Sequence, residues 1–184
     1  MKHAYFSVLI AEEDRIYLRF IWHGRAYQFV VMAQGLCTAP RAYTKLLRPV
    51  FAWLRKQGYT VLGYIDDTIF IENSAEEVLQ ALNLATKLFD DLGLTISVKK
   101  SVFVPVQKIE YLGFILNSVD MTVRLTDEKK IKILRLARKM LRLDEFPIRH
   151  LSSFIGNAEA AEQGVFMAPY YYKKLEIQYL FEKV

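Results

Sequence analysis

The chain has 184 residues, enough for one sizeable domain, and its 53% hydrophobic and 14% aromatic content excludes a disordered tail. A formal net charge of +5 and a pI near 9.2 favour an anionic partner, nucleic acid first among them. The single cysteine, Cys37, excludes an internal disulfide framework and a structural zinc site, and fits a small buried hydrophobe in a reducing compartment.

The opening MKHAYFSVLIAEED has no secretory cleavage pattern. No window approaches the roughly 18 consecutive apolar residues of a membrane span. The reading is an intracellular protein, cytoplasmic or nuclear, with no membrane partner. Residues 3–10 predict a core strand, and a chain that opens inside a strand reads as a fragment. Residues 15–22 and 25–32 are rich in aromatic and β-branched side chains and flank His23-Gly24, a hairpin signal. Thr38 is expected to cap a helix that has Pro40 in its first turn, Pro49 bending its middle and Gly58 stopping it. Its apolar face is expected to hold Tyr43, Leu46, Leu47, Val50, Phe51 and Leu54.

A second helix should start at a capping box, Ser74 to Glu77, and carry Val78, Leu79, Leu82, Ala85, Leu88 and Phe89 on one stripe, ending before Gly93. Strands are expected at 95–98 and 109–116, with a short partner at 121–125. From Thr126 the pattern turns helical, with helices over 127–143, 148–162 and 168–181. Residues 129 to 142 hold seven basic side chains and no acidic one. Lys132, Arg135, Lys139 and Arg142 share a helical face, which is either a solvated surface or a contact for phosphates. The fold class is α+β, with a domain boundary near Leu125.

The most informative stretch is Tyr64-Ile65-Asp66-Asp67. It sits between an apolar run and an alternating one, and reads as strand, acidic turn and returning strand. Neighbouring side chains in a strand point to opposite faces, so two aspartates serve one site only where the chain reverses. Magnesium takes oxygen ligands, commonly one or two carboxylates plus substrate phosphates, so such a hairpin suits phosphoryl transfer. The ordinary alternative is a solvated turn, since aspartate is common in turns.

Preceded by YQFVVMAQGLCTAP over 27–40, this hairpin resembles the palm of a reverse transcriptase. The Ala4-Tyr5-Phe6-Ser7-Val8 string resembles the first palm motif of that family. Gly93-Leu94 with Lys99-Lys100-Ser101-Val102-Phe103 resembles the fourth, and Tyr111-Leu112-Gly113-Phe114 the fifth. Arg41 to Arg48, the Tyr64 hairpin and Leu151-Ser152-Ser153-Phe154-Ile155-Gly156 are similar to retrotransposon enzymes of the DIRS or related long-terminal-repeat type.

The resemblance implies a palm over 1–125, with a small antiparallel sheet and packed helices, and a mostly helical thumb or connection-like region over 126–184. It implies RNA-directed DNA polymerase activity with an RNA or DNA template, a primer, deoxynucleoside triphosphates and two Mg²⁺ ions, Mn²⁺ being a possible substitute. Asp66 and Asp67 are the implied metal ligands and catalytic carboxylates, and Lys100, next to Lys99, the implied lysine near the pyrophosphate. Tyr5 matches the aromatic that excludes a 2′ hydroxyl, and Gln34 and Gly35 the nucleotide-contacting loop. Tyr64, with Tyr111, Leu112 and Gly113 of the primer-gripping hairpin, is expected at the nucleic acid.

The pattern breaks at its start. The family's first motif begins with an aspartate five residues before the tyrosine matched by Tyr5, one position before Met1. The fingers region that normally precedes it is missing too, and no ribonuclease H segment follows. Two readings therefore stay open: a polymerase domain, and an inactive palm remnant that binds nucleic acid or another protein. Loss of the fingers would bare a sheet edge, so self-association is a further expectation.

Overall fold

Every strand pairs with its neighbour in sequence, because tight turns bring adjacent apolar runs together at little entropic cost. The computed structural model describes residues 1, 4–142 and 147–182. Among these, β1 (Arg19–Trp22) pairs with β2 (Arg25–Gln28), and β3 (Val61–Tyr64) with β4 (Asp67–Phe70). β5 (Lys108–Tyr111), β6 (Phe114–Asn117) and β7 (Thr122–Leu125) form a meander. All pairs are antiparallel. The α+β class holds, but the expected sheet is three separate small ones.

The chain divides into two compact units, Met1–Pro105 and Val106–Val184. This break precedes the boundary expected at Leu125, because the β5–β7 meander groups with the helices that follow it.

In the first unit, α1 (Ala39–Lys56) and α2 (Ala75–Asp91) enclose the core with the β3–β4 hairpin. Tyr43, Leu47, Phe51 and Leu54 of α1 are buried against Val61 of β3, Ala85 and Phe89 of α2, and Leu94. Of the expected apolar face, Leu46 is instead exposed. Arg55 donates through Nε and Nη2 to the Val61 carbonyl, at 3.1 and 2.8 Å, tying the end of α1 to β3. Gly58 stops α1 at φ +95, as its position foretold. Pro49 lies inside the helix. Thr38 precedes α1 without a side-chain cap, its own backbone being helical. Ser74 caps α2 as expected, accepting at Oγ from the Glu77 N–H at 3.2 Å, while Glu77 Oε2 accepts from the N–H of Asn73, one residue before the cap, at 3.2 Å.

Three expected strands are corrected. Ala4–Ser7 is a 3₁₀ turn, stabilised where the Ser7 hydroxyl donates to the Ala4 carbonyl at 2.7 Å. Extended pairing begins only at the Leu9–Val31 bridge, and His3 lies outside the described residues. The first half of 15–22 belongs to a 3₁₀ helix, Glu12–Leu18, held where Arg15 Nε donates to the Ile10 carbonyl at 3.0 Å. The 95–98 segment forms no strand and leads into a 3₁₀ turn, Val98–Lys100.

In the second unit the expected strand over 109–116 is a hairpin, turning at Leu112-Gly113. Thr126 caps α3 (Asp127–Leu141), accepting from the Lys129 N–H at 3.4 Å; Leu143 lies outside the described residues. α4 (Ile148–Glu159) ends earlier than expected, and a short 3₁₀ turn leads on to α5 (Ala168–Glu182). Leu151 and Ile155 of α4 pack against Ala168 and Tyr172 of α5. No helix among the described residues is long and apolar enough to cross a membrane.

Candidate active site

The β3–β4 hairpin reverses over two residues, Ile65 and Asp66, with Tyr64 paired to Asp67. Asp66 therefore sits in the reversal and Asp67 opens the returning strand. Both are exposed. Ile65 takes φ +54, a left-handed conformation that a β-branched residue adopts only under constraint. The constraint is visible on both sides: the ladder pairs Val61 with Phe70 through Tyr64 with Asp67, and Ile65 packs against the core.

The Met1 backbone nitrogen donates to the Asp66 carbonyl at 2.5 Å, placing the opening of the chain against the acidic turn. Tyr43 of α1 lies within the electrostatic reach of the same turn. Burial, and then the negative charge of Asp66, push its phenol up from 10.0 to about 12. Its hydroxyl is buried with no hydrogen-bond partner among the described residues. The Tyr43 ring meets Tyr5 edge to face, with centroids 5.9 Å apart and planes at 84°. Tyr5 and the Asp66 turn are thereby linked through one α1 side chain.

Gln34 and Gly35 form an exposed turn between the Leu9–Val31 bridge and α1, with Gly35 at φ +95, where glycine carries no Cβ penalty. Lys99 and Lys100 are both exposed on their 3₁₀ turn. Among the described residues no three His, Cys, Asp or Glu side chains come together, so the turn offers two carboxylates. Two hard oxygen donors fit magnesium, which leaves its remaining positions to water and phosphate.

The second unit holds the other expected contacts. Tyr111 and Phe114 pair across the turn formed by Leu112 and Gly113, at φ +52 and +74. On α3, Arg135, Lys139 and Arg142 line an open groove of about 460 Å³. Arg138 lines it with them, whereas Lys132 does not.

Residues 1–116 match the family described as reverse transcriptase (RNA-dependent DNA polymerase). The chain belongs to this family. As a reverse transcriptase family member it is 28% identical over 113 residues to the genome polyprotein of Petunia vein clearing virus, covering 61% of this chain and 5% of that one. It is 29% identical over 159 residues to an uncharacterized protein of Caenorhabditis elegans, covering 86% of this chain and 11% of that one. The chain thus spans a small part of these relatives. In fold it is similar to a foamy viral protease-reverse transcriptase solved in complex with double-stranded DNA, with a TM-score of 0.72 at 22% identity. That match covers 100% of this chain and 30% of the other.

Sequence reasoning missed Tyr43, Arg138 and Lys129 of this reverse transcriptase chain. Tyr43 reads as one more apolar residue of a helix stripe. Arg138 falls between the chosen positions, although the density of basic residues over 129–142 was signal enough for it. Lys129 carries no local signal, because its partners come from the β5–β6 turn and from Ala160.

Proposed function

We propose that this chain is the palm and following helical region of a retroelement RNA-directed DNA polymerase, of the DIRS or related long-terminal-repeat type. The reading takes 1–125 as palm and 126–184 as thumb or connection-like. The observation that carries it is the pair Asp66 and Asp67 at the reversal of a tight hairpin, within a chain of the reverse transcriptase family.

Asp66 and Asp67 would hold the metal ions, magnesium or in its place manganese. Magnesium bound there supplies positive charge for polarising an attacking hydroxyl and for neutralising the departing pyrophosphate. The protein's own contribution is position. The ladder from Val61 to Asp67 fixes the carboxylates, and a displacement of about 1 Å in such a site costs roughly a hundredfold in rate. Tyr5, backed by Tyr43, would lie under the sugar of an incoming deoxynucleoside triphosphate and exclude a 2′ hydroxyl. Gly35 would let the backbone at Gln34 approach the nucleotide closely. Lys100, the lysine that the resemblance sets near the pyrophosphate, would donate a proton to it as it leaves. Tyr64, with the Tyr111-Leu112-Gly113 hairpin, would contact the primer, and Arg135, Lys139 and Arg142, joined by Arg138 in the groove where the expected face had Lys132, the phosphates of the primer–template.

The resemblance sets a third carboxylate one position before Met1, and the Met1 nitrogen stands at the Asp66 carbonyl. A residue joined there would enter at the acidic turn, which supports the reading. The second reading is a palm remnant that binds nucleic acid or another protein without polymerase activity. Exposed Ile21 and Trp22 on β1 support self-association under either.

Primer extension on an RNA template with magnesium separates the two. It compares this chain, its Asp66→Ala variant and a form extended upstream through an aspartate and fingers. Extension lost on Asp66→Ala establishes the polymerase; no extension in any form leaves the remnant.

A further inference from the structure

The turn between β5 and β6 places two successive residues in left-handed backbone, Leu112 at φ +52 and Gly113 at φ +74. Glycine accepts this freely, but leucine does not. Lys129, in the first turn of α3, holds the conformation from one side. Its Nζ donates to the Leu112 carbonyl at 3.0 Å and stands 4.0 Å from the centroid of the Phe114 ring. The same ammonium lies 3.5 Å from the carbonyl of Ala160, just past α4. Its stem crosses Gly113 so closely that a Cβ there would be 2.5 Å from Lys129 Cε and 2.9 Å from Cδ. The Thr126 N–H adds a second tie, donating to the Gly113 carbonyl at 3.3 Å.

One side chain therefore touches the hairpin at three consecutive residues and joins it to the ends of two helices. The arrangement is also electrostatically unusual. Burial, and then the charge of Lys132, lower the Lys129 pKa, so the ammonium stays where charge is disfavoured. Two carbonyls and a ring face offset that penalty. By contrast the adjacent Lys130 pairs locally, with Asp127 at 3.0 Å.

We propose that Lys129 is a positioning residue for the primer terminus: it locks the Leu112-Gly113 turn against α3 and α4, and the locked turn discriminates a recessed 3′ end from continuous duplex. The proposal rests on the polymerase reading, in which this hairpin contacts the primer.

The test compares this chain with its Lys129→Met and Lys130→Met variants, which lose the same charge. Fluorescence anisotropy gives the affinity for a DNA primer recessed on an RNA template and for a blunt duplex of equal length. Hydrogen exchange over residues 111–115 reports on the turn. In Lys129→Met, exchange is expected to quicken about tenfold, as for loss of one charged hydrogen bond. Its preference for the recessed end should fall by about the same factor, with blunt-duplex affinity matching Lys130→Met. Faster exchange with an unaltered recessed-end preference overturns the proposal and leaves Lys129 merely structural. A parent chain with no preference for the recessed end overturns the polymerase reading itself. If Lys129→Met loses its helical circular dichroism, the comparison is read with Lys129→Ala, which also lacks the donor and to which the same outcomes apply.

Discussion

The ring of Phe51 occupies the space that a side chain on Gly63 would need: a Cβ there would lie 2.1 Å from Phe51 Cε2 and 2.3 Å from Cζ. Helix α1 thus packs directly on the backbone of β3, two residues before the reversal that carries Asp66. The acidic turn is positioned from beneath by an aromatic ring on bare backbone.

Gly63→Ala is accordingly expected to destabilise the chain by about 1–3 kcal/mol through overpacking, measured by urea unfolding. Adding Phe51→Leu should recover part of the loss. A double-mutant cycle with no coupling between the two sites would show that the contact carries no energy.

Tyr43 gives a pH dependence with a definite sign. Its folded-state pKa, about 12, lies above the ordinary 10.0. The stability linked to the neutral phenol is therefore fully present below pH 10 and is lost as pH rises toward 12, by about 2–3 kcal/mol in total. Tyr43→Phe should lack that loss, and should match or exceed the parent at pH 7 by about 1 kcal/mol, having no unpaired buried hydroxyl. Unfolding of both chains at pH 8 and pH 11 measures the difference.

Gly24 and Gly113 share nearly the same backbone, at φ +72 and +74, but a Cβ at Gly24 meets nothing within 4 Å. Gly24→Ala should cost about 1 kcal/mol from conformation alone. Gly113→Ala should cost about 1 kcal/mol more, for the clash with the Lys129 stem. The excess should vanish in a Lys129→Ala background, and its persistence there would count against the stem as the cause.

Binding to duplex nucleic acid should weaken with salt if the α3 groove contacts phosphates. Four such contacts, from Arg135, Arg138, Lys139 and Arg142, give a log–log slope of about −3 to −4. Arg138→Ala should flatten that slope by about 0.9. A salt-independent affinity would exclude the groove as the phosphate contact.

What could be read from the sequence was what is decided locally. The β3–β4 hairpin, the Ser74–Glu77 cap and the stop at Gly58 each depend on residues a few positions apart, and each stands where expected. Ala4–Ser7 was misread because tyrosine and phenylalanine favour strands, while the Ser7 hydroxyl closes a turn on the Ala4 carbonyl. The resemblance implied a hairpin at Leu112-Gly113, but the residue pattern hid that reversal inside one long expected strand, since leucine carries no left-handed signal and its supporting lysine lies 17 positions on. At the candidate site, the position of the two aspartates at the hairpin reversal was legible. Tyr43 became visible only in three dimensions, because its significance lies in its ring contact with Tyr5 and in the nearby charge of Asp66, from two distant stretches of chain.

The hydrogen bond from the Met1 nitrogen to the Asp66 carbonyl bears on how the protein is best handled. An affinity tag fused ahead of Met1 would join the chain at the nitrogen that is hydrogen-bonded to the acidic turn, and a polyhistidine run there would present imidazoles to any cation that the turn takes up. Purification handles for activity work therefore belong at the other terminus, or must be cleaved so that no histidine remains next to Met1.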